Sequence, residues 1–436
     1  MKFYNREKEL EILKQNEKES QNIAMFTILK GRRRIGKTSL ILKALEGCDY
    51  VYLFVHRGSE AALCHSFQTE ITSKLGIQIY GEITRFADLF EMLMRESTKR
   101  HFSVVIDEIQ NFKYVNNAIF SQMQEIWDRY HRESRINLIV CGSVRSMMRR
   151  IFEDAHEPLY GRSTSKLTLK PFDIEVLKRI MADYNPSYKP DDLLCLYMLT
   201  GGVAKYVELL VDRKCMTKTS MLKYVCGVDS YFITEGREML MDEFTTDYDT
   251  YFSILHLIAS GKTRVSEIDG ALSKPTGVYL ANLDNNFEMI TKLQPVMQKH
   301  NGKVSRYEIK DNFLRFWFRF IYPYQGLVES GQLSILYKHI CSEYAQFSGK
   351  TLEQYFHAKY MQSGLYTTIG NWWDRKGDCE LDMLAINEFD MTCLVAEIKR
   401  NKDKISIQSI EEKVKSLPPE FAKYDIKIEA LSLKDM

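Results

Sequence analysis

Eight residues constrain this chain more than any others. Gly31-Arg32-Arg33-Arg34-Ile35-Gly36-Lys37-Thr38 follows an apolar run, residues 24–30, and opens a segment of helical spacing that begins at Lys37. The pattern G-x-x-x-x-G-K-[ST] between a strand and a helix describes a loop whose backbone amides turn inward around phosphate oxygens. The helix N-terminus adds positive potential at the same point. In that setting Lys37 is expected to meet the β- and γ-phosphates of a nucleoside triphosphate, and the Thr38 hydroxyl to ligate Mg²⁺. Arg32, Arg33, Arg34 and Ile35 form the body of the loop. The three arginines read either as phosphate or nucleic-acid contacts or as a solvated basic loop.

The surrounding pattern agrees with a loop of this kind. Short apolar runs at 49–55, 102–109, 136–143 and 165–172 alternate with segments of helical spacing, including 60–75 and 86–98. Strands and helices in alternation predict an α/β fold with a parallel sheet covered on both faces. Ligands in such sheets bind at the carboxyl ends of the strands. Asp107-Glu108 ends the third run and Cys141-Gly142-Ser143 the fourth. Asp107 is placed to hold the Mg²⁺ shell, Glu108 to polarise an attacking water, and Ser143 either to sense the γ-phosphate or to cap the next helix.

Composition bounds the rest. The chain has 436 residues, which suggests about three domains at roughly 150 residues each. Sixty Lys and Arg against 58 Asp and Glu leave a net charge of +2, which excludes a polybasic tail protein but not a local basic surface. Nine scattered cysteines without a CxxC predict reduced thiols and a cytoplasmic setting. The opening MKFYNREKELEIL carries charge from its second residue, so no secretory leader is expected. No apolar run is long enough to span a membrane; even Phe313–Tyr324 is broken by Arg315 and Arg319. That aromatic run is expected to be core rather than a base-stacking platform.

With these motifs in place, the chain resembles the archaeal-type P-loop ATPases of the AAA+ superclass. Phe3-Tyr4-Asn5-Arg6-Glu7 with Leu10 is similar to that family's opening element, GRRRIGKTSL to its loop through Ser39, and Leu159-Tyr160-Gly161-Arg162 to its LYGR. The resemblance implies ATP as the nucleotide, Asn5 and Arg6 near the adenine, and Arg162 as an arginine finger reaching a neighbouring subunit of a homo-oligomer. It also implies a helical lid after Leu167–Phe172, in which Thr200-Gly201-Gly202 resembles a TGGxPxY element with Ala204 where proline is expected.

The second half changes character. Residues 249–260 and 265–272 have helical spacing, 275–294 has it and ends in a strand-like return, and Asn301-Gly302 is a hairpin signal between two short strands. Three helices and a β-wing predict a winged helix. Its third helix offers Tyr279, Asn282, Asn285 and Asn286 but little positive charge, which leaves DNA contact and protein contact both open. Further on, Glu353 lies in a helical stretch, Asp382 in a strand pattern, and Glu397 and Lys399 two residues apart on one strand face. Such acids and a lysine, if they converge, can bind Mg²⁺ through Asp382 and Glu397, activate water and stabilise a phosphodiester transition state. The segment resembles PD-(D/E)XK nucleases.

The expected organisation is a parallel-sheet P-loop ATPase core over 1–172, a helical lid over 173–240, a winged helix over 241–325 and an α/β restriction-endonuclease-like domain over 326–436. Two functions fit. One is an ATPase that couples nucleotide state to a nuclease-like domain acting on DNA or RNA. The other is a nucleotide-dependent switch whose C-terminal domain binds a partner without cleaving it.

Overall fold

Met25–Lys30 (β1) is buried along almost its whole length, as are Phe102–Asp107 (β3) and Ile136–Gly142 (β4). Strands covered on both faces have no polar side to alternate, which is why their sequences read as unbroken apolar runs. With Tyr50–Phe54 (β2) and Ser165–Thr168 (β5) they form a five-stranded sheet in the order β2-β3-β4-β1-β5, every pairing parallel. The computed structural model describes residues 1–244, 247–297 and 304–436. The chain divides into two compact units, Lys2–Pro171 and Phe172–Met436.

In the first unit, β4 lies between β1 and β3. Lys30 is level with Gly142, Ile106 with Val140, and on the far side Phe54 with Asp107. That register brings residues 31–38, Asp107-Glu108 and Gly142-Ser143 to one edge of the sheet. Amphipathic helices Phe86–Lys99 and Ile119–Tyr130 cover the sheet with their apolar faces, and Phe26 meets Trp127 with ring centroids 5.1 Å apart.

The second unit begins with five helices, Ile174–Tyr184, Pro190–Thr200, Ala204–Asp212, Lys218–Val225 and Tyr231–Glu243. Helices Tyr248–Ala259, Val265–Leu272 and Gly277–Ala281 follow, the last continuing as a wider turn over Asn282–Asn286. Ile290–Leu293 (β6) and Arg306–Ile309 (β7) pair antiparallel. The expected hairpin turn at Asn301-Gly302 lies outside the described residues. The third helix gives way to a strand within 275–294, as its strand-like return leads one to expect, and Glu288 takes a left-handed conformation, φ 52°, just before β6.

Helix Leu333–Gln362 leads into Thr368–Trp373 (β8), Glu380–Asn387 (β9) and Thr392–Ile398 (β10), an antiparallel meander. Helix Ile407–Val414 then returns the chain to Asp425–Leu431 (β11), parallel to β10, and the mixed sheet has the order β11-β10-β9-β8. None of the described helices is long and apolar enough to cross a membrane. All nine cysteines are free.

The aromatic run is core, as its composition predicts: Phe313, Phe316, Trp317, Phe318 and Phe320 of helix Asn312–Phe320 are all buried. The Trp317 indole donates to the Ile233 carbonyl at 2.8 Å, which fixes its ring against helix Tyr231–Glu243. Gly236 lies beneath that ring, and a Cβ there would come within 2.3 Å of it. Gly236→Ala is expected to lower the stability of this unit by about 1–3 kcal/mol through overpacking, although alanine is the better helix former. Thermal unfolding measures it; an unchanged or raised midpoint would show that the ring can move.

Candidate functional site

The loop after β1 turns into helix Lys37–Ala44 through Gly36, whose φ of 97° is a backbone conformation that residues with a Cβ avoid. Arg34 also takes a left-handed φ, 68°. The loop wraps a single cation. Lys37 is buried, and its ammonium donates to the carbonyls of Gly31 at 2.9 Å and Arg32 at 3.3 Å. Burial pushes its pKa below the ordinary lysine value, against the opposing pull of Glu108, Cys141 and Asp107. The fields of Glu108 and Asp107 place Lys37 beside the acids at the end of β3. Thr38 and Ser39 are exposed at the helix start. Arg6 is buried against the loop's far side, donating to the carbonyls of Lys170 at 2.8 Å and Ile35 at 3.4 Å; Asn5 precedes it at φ 48°.

Asp107 is the most constrained group of the site. Its Oδ1 accepts from the Cys141 thiol and from the Glu108 amide, at 2.8 and 2.9 Å, and its Oδ2 accepts from the Tyr52 hydroxyl. Burial and the bond to Asp107 raise the Tyr52 pKa, and the Thr38 side chain also bonds to the Tyr52 hydroxyl. Thr38 and Asp107, the two residues expected to serve Mg²⁺, therefore meet around one hydroxyl. A threonine oxygen and a carboxylate are the hard donors that Mg²⁺ takes, so this part of the site fits the ion. The Cys141 thiol is pushed up by burial and by Asp107.

Glu108 takes a left-handed φ of 54° directly after β3. Its Oε2 accepts from the Ser143 hydroxyl at 2.8 Å, from the Ser143 amide at 3.2 Å, and from the Gln110 amide. The Gln110 carbonyl oxygen is buried without a partner among the described residues. The ends of β3 and β4 thus hold one carboxylate oxygen of Glu108 and leave an orphaned acceptor beside it. That is an arrangement able to orient a water molecule. Ser143, expected as a phosphate sensor or a helix cap, does not cap helix Arg145–Glu153, whose N-cap is Val144, and contacts the general-base candidate. Arg162 lies in the same unit but in a surface ion pair with Asp128 at 3.1 Å, its Nη1 donating to the Tyr160 carbonyl.

A second constellation forms in the C-terminal sheet. Lys399 lies between Asp382, 2.8 Å away, and Glu397, 3.3 Å away. The Ile398 amide donates to Asp382 Oδ2 at 2.9 Å, and Lys413 pairs with Glu397. Burial alone would raise the Asp382 pKa, but the Lys399 and Ile398 bonds outweigh it and hold the carboxyl below its usual range. Glu397 is raised, by burial and by Asp382 beside it. Glu353 pairs with Lys350 at 2.8 Å and feels the Asp382 charge. The sequence therefore places Asp382, Glu397 and Lys399 together and Glu353 near them. It gives no sign of Lys413, which reads as one charge on an amphipathic helix, or of Lys350, whose only signal is its spacing of three from Glu353. Each carboxylate is neutralised by a lysine. Among the described residues, no three His, Cys, Asp or Glu side chains converge to hold a metal ion. Lys399 and Lys413 occupy the Asp382 and Glu397 oxygens that a divalent cation would use.

A glycine-rich loop around a buried lysine, with paired acids at the end of a neighbouring parallel strand, defines the first unit as a P-loop ATPase core. A family model described as an ATPase domain predominantly from Archaea matches residues 3–210. A second, described as archaeal and bacterial proteins of unknown function, matches residues 317–413. The uncharacterized protein MJECL04 of Methanocaldococcus jannaschii is 30% identical over 407 residues, 91% of this chain and 87% of that protein. The chain belongs to this family of archaeal-type ATPases. Among solved structures, the Walker-type ATPase PABY2304 of Pyrococcus abyssi is similar in fold, with a TM-score of 0.53 at 21% identity, covering 72% of this chain and 96% of that one. The ORC2 protein of Aeropyrum pernix gives a TM-score of 0.49 at 14% identity, over 76% and 96% of the two chains.

Burial pushes the Glu353 carboxyl up to about 7 from an ordinary 4.5, and Lys350 only partly offsets this. The native state then holds a proton that the unfolded chain releases, so this group's contribution to stability falls as pH rises from about 4.5 through 7. Glu353→Gln, neutral throughout, is expected to flatten the stability–pH curve in that window. Denaturant unfolding at several pH values measures the slope; an unchanged slope would place the titration elsewhere.

Proposed function

We propose that the chain hydrolyses ATP at the loop of residues 31–38 and couples the nucleotide state to a nuclease-like C-terminal domain acting on nucleic acid. The observation that carries the reading is the meeting of Lys37, Thr38, Asp107, Glu108 and Ser143 at one sheet edge. Lys37 and the loop amides would bind the β- and γ-phosphates, with Arg32, Arg33, Arg34 and Ser39 around them and Asn5 and Arg6 toward the base. Mg²⁺, held by Thr38 and Asp107, would neutralise phosphate charge. Glu108, oriented by Ser143 and Gln110, would take a proton from the attacking water. Arg162 would serve a neighbouring subunit, leaving its Asp128 pair to do so.

The division of the second unit is also a proposal: a lid over 173–240, a winged helix over 241–325 and a nuclease-like domain over 326–436. Three helices followed by the β6–β7 pair support the winged helix. The tie of Asn282 to the Tyr251 hydroxyl, at 3.1 Å, turns one of its polar residues inward and favours a protein-contact role. The order helix, antiparallel meander, helix and parallel strand supports the nuclease-like fold, with Asp382, Glu397 and Lys399 as its centre. A route for coupling runs through Arg400. It follows Lys399 directly and pairs with Asp191 of helix Pro190–Thr200 at 2.8 Å, where Lys218 also pairs at 2.8 Å. Movement of the lid helices would therefore pull on the residue beside Lys399.

One observation favours the second reading, a switch that binds a partner without cleaving it: the lysines that neutralise Asp382, Glu397 and Glu353. The two readings separate in one experiment. Full-length protein is incubated with single- and double-stranded DNA and RNA, with Mg²⁺ or Mn²⁺, with and without ATP. Lys37→Ala is expected to reduce ATP hydrolysis by about 10²-fold or more. Lys399→Ala is expected to leave hydrolysis in place and abolish cleavage. Hydrolysis without cleavage of any substrate would select the switch; hydrolysis undiminished in Lys37→Ala would refute both.

A further inference from the structure

The second unit contains a cavity of about 450 Å³, walled by the turn after helix Tyr248–Ala259, by β7, by helix Leu333–Gln362 and by β8 and β9. Most of its charged side chains are paired. Arg306 meets Glu380 at 2.9 Å, Arg319 meets Glu343 at 3.1 Å, and Lys350 meets Glu353 at 2.8 Å.

Arg315 differs. It is only 6% exposed, donates to the Thr351 hydroxyl, and lies over the Phe347 ring at 4.7 Å. Its Nε has no partner, and it forms no ion pair with a carboxylate among the described residues. Burial pushes its pKa down, with Glu308 and Glu353 exerting only an opposing field. Removing a guanidinium from water without a counter-ion is costly. Arginine's planar fork suits one kind of compensation, a bidentate phosphate or carboxylate. Glu308, on the same cavity wall, accepts from the Gln354 amide and likewise forms no ion pair among the described residues. The cavity thus presents an arginine and a carboxylate that form no ion pair among the described residues, beside Phe347 and Trp373, whose ring faces carry Arg315 and Arg306 at 4.7 and 4.5 Å. Its volume falls in the range of small-molecule sites, roughly 300–1,000 Å³.

We infer that this cavity binds a phosphorylated small molecule of nucleotide size, with its phosphate on Arg315, its ring beside the arginine-covered rings of Phe347 and Trp373 and a hydroxyl or amino group on Glu308. A phosphate alone would leave Glu308 and the aromatic walls unused. Glu353 belongs both to the cavity wall and to the cluster around Asp382, so an occupant would lie next to that cluster. The inference stands whether or not the cluster cleaves nucleic acid.

The test is calorimetric titration of the full-length Lys37→Ala chain, whose phosphate loop is disabled, with AMP and separately with inorganic phosphate. AMP is expected to saturate one site and to bind at least about tenfold more tightly than phosphate. Arg315→Gln is expected to weaken AMP by about tenfold or more, as loss of a charge-assisted bond does. Because Arg315 is buried and its replacement could unfold the unit, a second variant is needed. Ser260→Trp obstructs the exposed rim of the cavity and leaves Arg315 in place, and should weaken AMP equally. Absence of saturable AMP binding, binding undiminished in Ser260→Trp, or phosphate binding as tightly as AMP would each overturn the inference.

Discussion

A buried ammonium must be surrounded by oxygen, and in the first unit that requirement organises everything near the site. Lys37 is held by two carbonyls of its own loop and lies in the field of Asp107 and Glu108. The loop can close on it only because Gly36 adopts a backbone conformation closed to other residues. The acids can face it only because β1, β4 and β3 are neighbours and end in register. The carbonyls of Gly31 and Arg32 accept from the ammonium; a triphosphate would offer it oxygens with full negative charge. Thr38 and Asp107, the residues proposed to hold the metal ion, both bond to the Tyr52 hydroxyl.

The second unit handles buried charge differently. Around Asp382, Glu397 and Glu353 each carboxyl group has its own lysine, so the cluster is closed on itself. Opening it requires a lysine to leave, and Arg400 connects that neighbourhood to Asp191 and Lys218 on the helices at the start of the unit. The cavity with Arg315 shares Glu353 with that cluster, and there a buried guanidinium forms no ion pair among the described residues.

Much of the first site was legible because its chemistry is contiguous in sequence. The loop, Asp107-Glu108 and Ser143 each sit where an apolar run ends, and a strand end is recognisable without coordinates. Tyr52 and Cys141 were not legible, since inside a strand both read as core residues; only the pairing of β2 with β3 shows that Tyr52 reaches Asp107. In the second half, period-two spacing put Glu397 and Lys399 on one face, and the antiparallel pairing of β9 with β10 is what brings Asp382 to them. Lys413 and Arg400 escaped because a lone charge on a helix or after a strand looks solvated until its partner is known. Arg315 read as the residue that breaks an apolar run. In the fold it is the polar exception inside an aromatic helix, which is a better reason to single it out.

The most direct test of the central claim is single-turnover ATP hydrolysis by Glu108→Gln. If Glu108 takes the proton from the attacking water, this variant should bind ATP as the parent does and cleave it at least about 10²-fold more slowly. Cleavage at the parent rate, with ATP still bound, would contradict the account and move the general base away from the end of β3.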